Sequence, residues 1–245
     1  MNLLEDKVAL VTGCAVRLGR EVALAMAREG CDIVVHYRQS TVEAEALAEE
    51  IRDIGRQAWL VCGDFTNPYA PDIVMKTAWE MAGWVDILVN NASVYSQVTL
   101  EDATVEEFDE LWHVNALAPI LLAKALARCA AESEILPDDY CGRIVNILDR
   151  RVAKPDKDTL PYWITKKSLE AFTMGAALEL APRITVNAVA PGPVLAPEGM
   201  SELAGPMPLA VRCIPSDIAQ AVIYLARATT VTGQILYVDS GQHLL

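Results

Sequence analysis

No stretch of this 245-residue sequence approaches the roughly 20 consecutive apolar residues a membrane-spanning helix needs, although hydrophobic residues make up 53% of it. Basic charge is also short. Lys and Arg number 20 against 33 Asp and Glu, a formal net charge of −13, which disfavours nucleic acid and anionic membrane surfaces as partners because such binding relies on many basic contacts. Any phosphate-bearing ligand must therefore find a local basic pocket. Six cysteines are present, but no C-x-x-C pair and no histidine at zinc-finger spacing accompany them, so reduced thiols packed as small apolar groups are expected and no metal site. Internal repeats and low-complexity tracts are missing. The segment from Met1 to Lys7 lacks the basic and apolar regions of an export signal, and a cytoplasmic location is the expectation.

What the sequence does have is a rhythm. Short apolar runs such as Val8–Val11, Ile33–Val35, Val85–Val89 and Ile144–Leu148 alternate with helical patterns at Leu18–Arg28, Val42–Ile54 and Tyr162–Leu180. A single long helix is expected from about Val105 to Ala130. Continuously apolar strands joined by helices imply an α/β fold: one doubly wound, Rossmann-type parallel sheet with helices on both faces, and residues 1–245 as one domain. Two segments break the pattern. Glu132–Gly142, with Pro137-Asp138-Asp139, reads as a surface connection. The Pro-, Gly- and Met-rich stretch at about 191–215 follows a strand on the carboxyl edge of the sheet and is a candidate substrate lid.

Thr12-Gly13-Cys14-Ala15-Val16-Arg17-Leu18-Gly19 follows the first strand and opens the first helix. Gly13 permits a tight turn, Gly19 permits close packing, and the helix N-terminus offers free N–H groups to a pyrophosphate, so a dinucleotide site is expected here. The second strand runs into His36-Tyr37-Arg38-Gln39-Ser40, where an NAD enzyme places a carboxylate against the ribose 2′-hydroxyl. No carboxylate occurs there. Arg38, Ser40 and nearby Arg17 suit a 2′-phosphate, which favours NADPH.

Tyr162 and Lys166 lie four residues apart at the start of a predicted helix and share one face. An ammonium beside a phenol favours the phenolate, so this pair is expected to deliver a proton near neutral pH with a lowered tyrosine pKa.

With these motifs, together with Asp64, Asn90-Asn91-Ala92-Ser93, Asn115 and Pro191-Gly192, the chain resembles the short-chain dehydrogenase/reductase family over essentially its whole length. The resemblance implies an oxidoreductase with Asp64 near the adenine and Asn91, Ala92 and Ser93 along the cofactor. It also implies cofactor contacts from Leu18, Tyr37, Pro191 and Gly192, and a water-linked relay from Asn115 to Lys166. On chemistry alone Asn115 reads equally as a hydrogen-bonded helix-interior residue.

One position departs from the family. The residue 13 before the catalytic tyrosine is commonly serine, and here it is Asp149. A carboxylate can only accept and would repel an oxyanion forming on a carbonyl, so a substrate carrying N–H groups fits better. With Arg17 and His36–Ser40, this departure resembles the pteridine reductase branch, which includes bacterial dihydromonapterin reductases. That resemblance places Tyr95 over a pterin ring and implies a substrate side formed by Arg17, Ser93, Tyr95, Asp149 and Tyr162, on a dihydropterin or dihydrofolate. It also implies a homotetramer. The rival readings are a reductase of another carbonyl, such as a 3-oxoacyl thioester or a sugar, and a catalytically silent nucleotide sensor.

Overall fold

The structure, a computed structural model, describes residues 4–137, 140–195 and 205–245; Met1–Leu3, Asp138, Asp139 and the 196–204 part of the expected lid lie outside them. The elements in chain order are β1 (Val8–Val11), α1 (Arg17–Arg28), β2 (Asp32–Tyr37), α2 (Thr41–Asp53), β3 (Ala58–Cys62), α3 (Ala70–Ala82) and β4 (Ile87–Asn90). Then follow α4 (Val105–Trp112), a π-helical turn (His113–Leu117), α5 (Ala118–Glu132), β5 (Gly142–Ile147), α6 (Leu160–Glu179), β6 (Ile184–Pro191), α7 (Pro215–Arg227) and β7 (Ile235–Val238). The sheet order is β3-β2-β1-β4-β5-β6-β7. Every adjacent pair is parallel.

The continuous apolarity of the strands has a simple cause. Successive side chains point to opposite faces, and both faces are covered. In β1, Ala9 and Val11 join a core with Val22 and Met26 of α1 and Ile218 and Val222 of α7. Val8 and Leu10 face the other side, against Val74 and Met75 of α3 and Leu122 and Leu126 of α5.

The helix expected from Val105 to Ala130 is not one regular helix. The N-terminus of α4 is capped reciprocally, Glu107 N–H donating to Thr104 Oγ1 and Thr104 N–H to Glu107 Oε2. Eight residues later the ladder widens to π geometry across His113–Leu117, a bulge that favours functional positions. Joined, these segments are long and apolar enough to cross a membrane by length and composition, but more than half of the apolar window is buried inside the protein. The apolar run belongs to the core.

Two polar devices set the sheet's register near its centre. Asp86, 1% exposed, accepts from Val8 N–H, Trp84 Nε1 and Lys7 Nζ at 2.9–3.0 Å, tying the start of β4 to β1. Asn90 and Asn146, paired across β4 and β5, run a buried chain in which Asn90 Nδ2 donates to Asn146 Oδ1, Asn146 Nδ2 to Thr173 Oγ1, and Thr173 Oγ1 to Leu169 O, fastening α6 to the sheet. Removing the Asp86 carboxylate would leave three donors without it, so Asp86→Ala should lower unfolding free energy by roughly 3 kcal/mol. Urea denaturation at neutral pH measures this, and a loss within about 0.5 kcal/mol would contradict the assigned role.

Candidate active site

The strand order reverses direction between β1 and β4, and the two loops that leave there part to form a crevice, the usual ligand position in such sheets. Thr12 and Asn91 clasp its floor. Thr12 Oγ1 donates to Val89 O and accepts from the backbone N–H of Asn91 and Ala92. Asn91 Nδ2 donates to Thr12 O at 2.8 Å and Gly13 O at 3.1 Å. Gly13 has a φ of +61°, and a Cβ at Gly19 would come within 2.5 Å of Asn91 Nδ2, so neither position accepts a side chain as it stands. Arg17 is not glycine yet has a φ of +56°. That left-handed backbone costs on the order of 1 kcal/mol and marks the turn as built for a purpose other than stability.

Above this floor lies a cavity of about 680 Å³ that spans the carboxyl ends of β1 to β6. Gly13, Arg17, Leu18, Gly19, Arg38 and Asp64 line the part over β1, β2 and β3, and Asn91, Ala92, Ser93, Pro191 and Gly192 the middle. At the far part sit Tyr95, Asp149, Tyr162 and Lys166.

Tyr162 and Lys166 are both buried in the first turns of α6. The Tyr162 hydroxyl donates to Asp149 Oδ2 at 3.1 Å. The same oxygen accepts from Arg151 Nη1 at 2.9 Å, while Asp149 Oδ1 accepts from Arg151 N–H at 2.8 Å. Tyr95 packs edge-on with Tyr162 at a centroid separation of 4.9 Å, and the Arg151 guanidinium lies 5.6 Å over the Tyr95 ring.

The expected lowering of the tyrosine pKa by Lys166 does not occur in this arrangement. Burial, then the Asp149 carboxylate, push the Tyr162 phenol well above its usual range. Lys166 Nζ lies 5.9 Å from the Tyr162 ring centroid and donates to Ile147 O at 2.9 Å, and burial lowers its own pKa to about 8 despite the pull of Asp149. Tyr162 is therefore a protonated donor at neutral pH, held to a carboxylate. Asn115 sits in the π-helical turn, fully buried. Its amide donates to Val94 O and Thr165 Oγ1 and accepts from Ser93 Oγ and Val94 N–H, so it fixes the loop after β4 against α6.

A family model for short chain dehydrogenases matches residues 7–205. The chain belongs to the short chain dehydrogenase family. Among solved structures it is similar to FolM alternative dihydrofolate reductase 1 from Brucella canis in complex with NADP, with a TM-score of 0.89 and 31% identity over 100% of this chain and 97% of that one. The Brucella suis counterpart, also with NADP, superimposes at a TM-score of 0.87 with 32% identity, covering 98% and 96%. Among characterised relatives, a 3-oxoacyl-[acyl-carrier-protein] reductase from Synechocystis is 32% identical over 98% of both chains. Membership makes this chain an oxidoreductase.

Within the family frame most expected positions converge on one cavity, and a few do not line it. Tyr37 is half-buried against the core and Ser40 sits at the N-cap of α2, both beside the cavity rather than in its wall. Arg38 is half-exposed and lies 3.9 Å from Glu110. Among the described residues no three His, Cys, Asp or Glu side chains gather as a metal site. Sequence reasoning gave no individual role to His36 or to the Arg151–Asp156 pair. The signal for the second was present as Asp149-Arg150-Arg151 followed by Asp156, charges clustered beside the departing position.

His36 is 2% exposed. Its Nδ1 accepts from Gly13 N–H at 3.0 Å, its Nε2 meets Gly63 O at 3.2 Å, and its ring stacks on Phe65. An imidazole that accepts from one backbone group and donates to another must be neutral, and burial lowers its pKa to about 4 from 6.5. The unfolded chain thus takes up a proton that the folded chain refuses. Stability from this group is complete above pH 6.5 and falls as pH drops toward 4. The span corresponds to about 3 kcal/mol. Comparing denaturation of the parent and His36→Gln at several pH values should show the parent losing more stability over that window; parallel curves would refute the neutral-imidazole assignment.

Proposed function

We propose that the chain is an NADPH-dependent pteridine reductase that transfers hydride to a dihydropterin or dihydrofolate. The observation that carries this reading is the carboxylate of Asp149, bonded to the hydroxyl of Tyr162, whose ring packs edge-on against Tyr95, in a family whose members commonly place serine there. A reduced pterin is a flat ring with N–H donors along its edge, which suits an aromatic face and an in-plane acceptor. The likeness to two alternative dihydrofolate reductases supports the same substrate class.

The residues present fit the dinucleotide. Val16 at the N-cap of α1 supplies no side-chain cap, the first turn holds no acidic residue, and Gly13 and Gly19 leave backbone where a Cβ would intrude. Bound NADPH supplies the hydride. Arg17, Arg38 and Ser40 take the 2′-phosphate end, Asp64 the adenine side, and Asn91, Ala92, Ser93, Pro191 and Gly192 the length of the cofactor. Tyr162 hands its proton to the ring nitrogen next to the carbon that receives hydride, Asp149 holds that hydroxyl in place, and Lys166 orients the nicotinamide ribose. Ser93 and Arg17 border the substrate, with Pro191–Leu195 at its edge and residues 1–245 acting as one catalytic domain. Exposed Met174, Leu178, Leu244 and Leu245 support self-association, by family resemblance as a homotetramer, and the cytoplasm is the expected location.

The second reading, reduction of a 3-oxoacyl thioester, draws on relatives such as the Synechocystis enzyme. Asp149 weighs against it because a carboxylate opposes a developing alkoxide. NADPH oxidation against dihydropterins, dihydrofolate and acetoacetyl thioesters decides between them. Pterins or folate should turn over fastest, and Asp149→Ser should cut that turnover by about 10² while NADPH binding persists. Faster reduction of the thioester by the parent protein would sink the pteridine assignment.

Cofactor choice is checked separately. Arg38→Ala should reduce the preference for NADPH over NADH by roughly tenfold to a hundredfold in kcat/KM, the scale of one charged phosphate contact. Equal use of both cofactors by the parent protein would overturn the 2′-phosphate assignment.

A further inference from the structure

We propose that Arg151 is the positioning residue of the proton-delivering site: its guanidinium, anchored by Asp156, aims the Asp149 carboxylate at the Tyr162 hydroxyl and balances its charge. The inference rests on the reading that Asp149 and Tyr162 handle the proton. Its geometric basis is a closed set of contacts. Arg151 meets Asp149 twice, once through its backbone N–H and once through Nη1. Arg151 Nε donates to Asp156 Oδ2 at 2.7 Å, and Arg150 Nη2 reaches the same oxygen at 2.7 Å, so the guanidinium is held from behind. The backbone is held as well, because Trp163 Nε1 on α6 donates to Arg151 O at 2.7 Å. Thr159, the N-cap of α6, donates through its hydroxyl to Asp156 O. The short turn carrying Arg151 is thereby bolted to the helix carrying Tyr162.

Electrostatics agree with the geometry. The charged and titratable groups facing Tyr162 and Asp149 are Arg151 from the turn after β5, Lys166 from α6 and Tyr95 from the loop after β4, with Arg150 and Asp156 acting next to them on Tyr95 and Arg151. Burial, then Asp149, hold the phenol up, and Arg151 is the group that draws it down. A bare carboxylate against a buried phenol would make that phenol too weak an acid to give up its proton. Arg151 supplies the compensating charge that a family member with serine at this position has no need of. It touches neither reacting atom and acts through Asp149.

The test uses NADP⁺-loaded protein without substrate, so it does not depend on which substrate is reduced. Carbon-13 NMR of ζ-labelled tyrosine, with Tyr162 assigned from Tyr162→Phe, should show Arg151→Gln moving the Tyr162 ζ-carbon resonance toward its position in Asp149→Asn, because the carboxylate is no longer aimed at the hydroxyl. Arg151→Lys should reverse most of that shift, because it keeps the charge while losing the fork. In turnover with the best substrate, Arg151→Gln should lower kcat roughly tenfold or more and leave the KM for NADPH within about twofold. In an Asp149→Asn background the same change should cost less than about twofold further, since a residue that works through another adds nothing once that partner is gone. Asp156→Asn, which loosens the anchor without removing the guanidinium, should give an intermediate loss and serves where Arg151→Gln does not fold. A Tyr162 resonance unmoved by Arg151→Gln and by Asp156→Asn, or an undiminished kcat loss in the Asp149→Asn background, overturns the proposal. A moved Tyr162 resonance in a protein that ignores every pterin would leave Arg151 in its role and remove the pteridine substrate instead.

Discussion

Two adjacent parallel strands whose outgoing loops run in opposite directions leave backbone groups without ladder partners at the point where they part, and the protein must satisfy them without filling the gap. Thr12 and Asn91 do this between them, through one hydroxyl and one amide that together engage five backbone atoms of β1, β4 and their loops. The clasp forms the floor of the cavity, Asn91 being part of its lining. It lets the glycine turn and the start of α1 remain open to a ligand while the sheet beneath is rigid. His36 extends the same solution to β2 by accepting from Gly13 N–H, so the turn is supported from both sides of β1. The left-handed Arg17 is tolerated because this surrounding network over-determines its backbone.

The reactive part of the cavity depends on this floor through α6. That helix is joined to the sheet by the Asn90–Asn146–Thr173 chain and to the loop after β4 by Asn115 and Thr165. A regular helix would carry its side chains past this point at a constant angle. The π-helical turn adds a residue's worth of rotation and brings the Asn115 amide onto Ser93 and Val94. In this arrangement Asn115 is a structural tie.

An aspartate in place of the common serine changes what the neighbourhood must supply. Serine can donate a hydrogen bond by itself; a carboxylate needs donors and a counter-charge, and here all of them come from Arg151 and Tyr162. Lys166 contributes less than its spacing suggests, since it is buried, bonded to Ile147 O and lowered in pKa to about 8. The site thus holds a protonated phenol against an ionic pair. In the proposed reading that arrangement serves a nitrogen heterocycle, which needs a proton at nitrogen and offers N–H groups in return.

Much of this was legible from residue order, because the relevant physics is local or periodic. Apolar runs of strand length, helical spacing of the segments between them, a glycine turn after the first run and a four-residue interval between Tyr162 and Lys166 determine a parallel sheet, a nucleotide crevice and a shared helix face. Element ends were recovered to within a few residues, as at α1 and α2. The irregular helix after β4 was not, since a π-helical turn leaves no period of its own in five residues. The charge state of Tyr162, the neutral tautomer of His36 and the part played by Arg151 had to await the packed molecule. Each depends on desolvation and on which side chains a loop brings within 3 Å, and those are properties of the folded interior that no interval along the chain encodes.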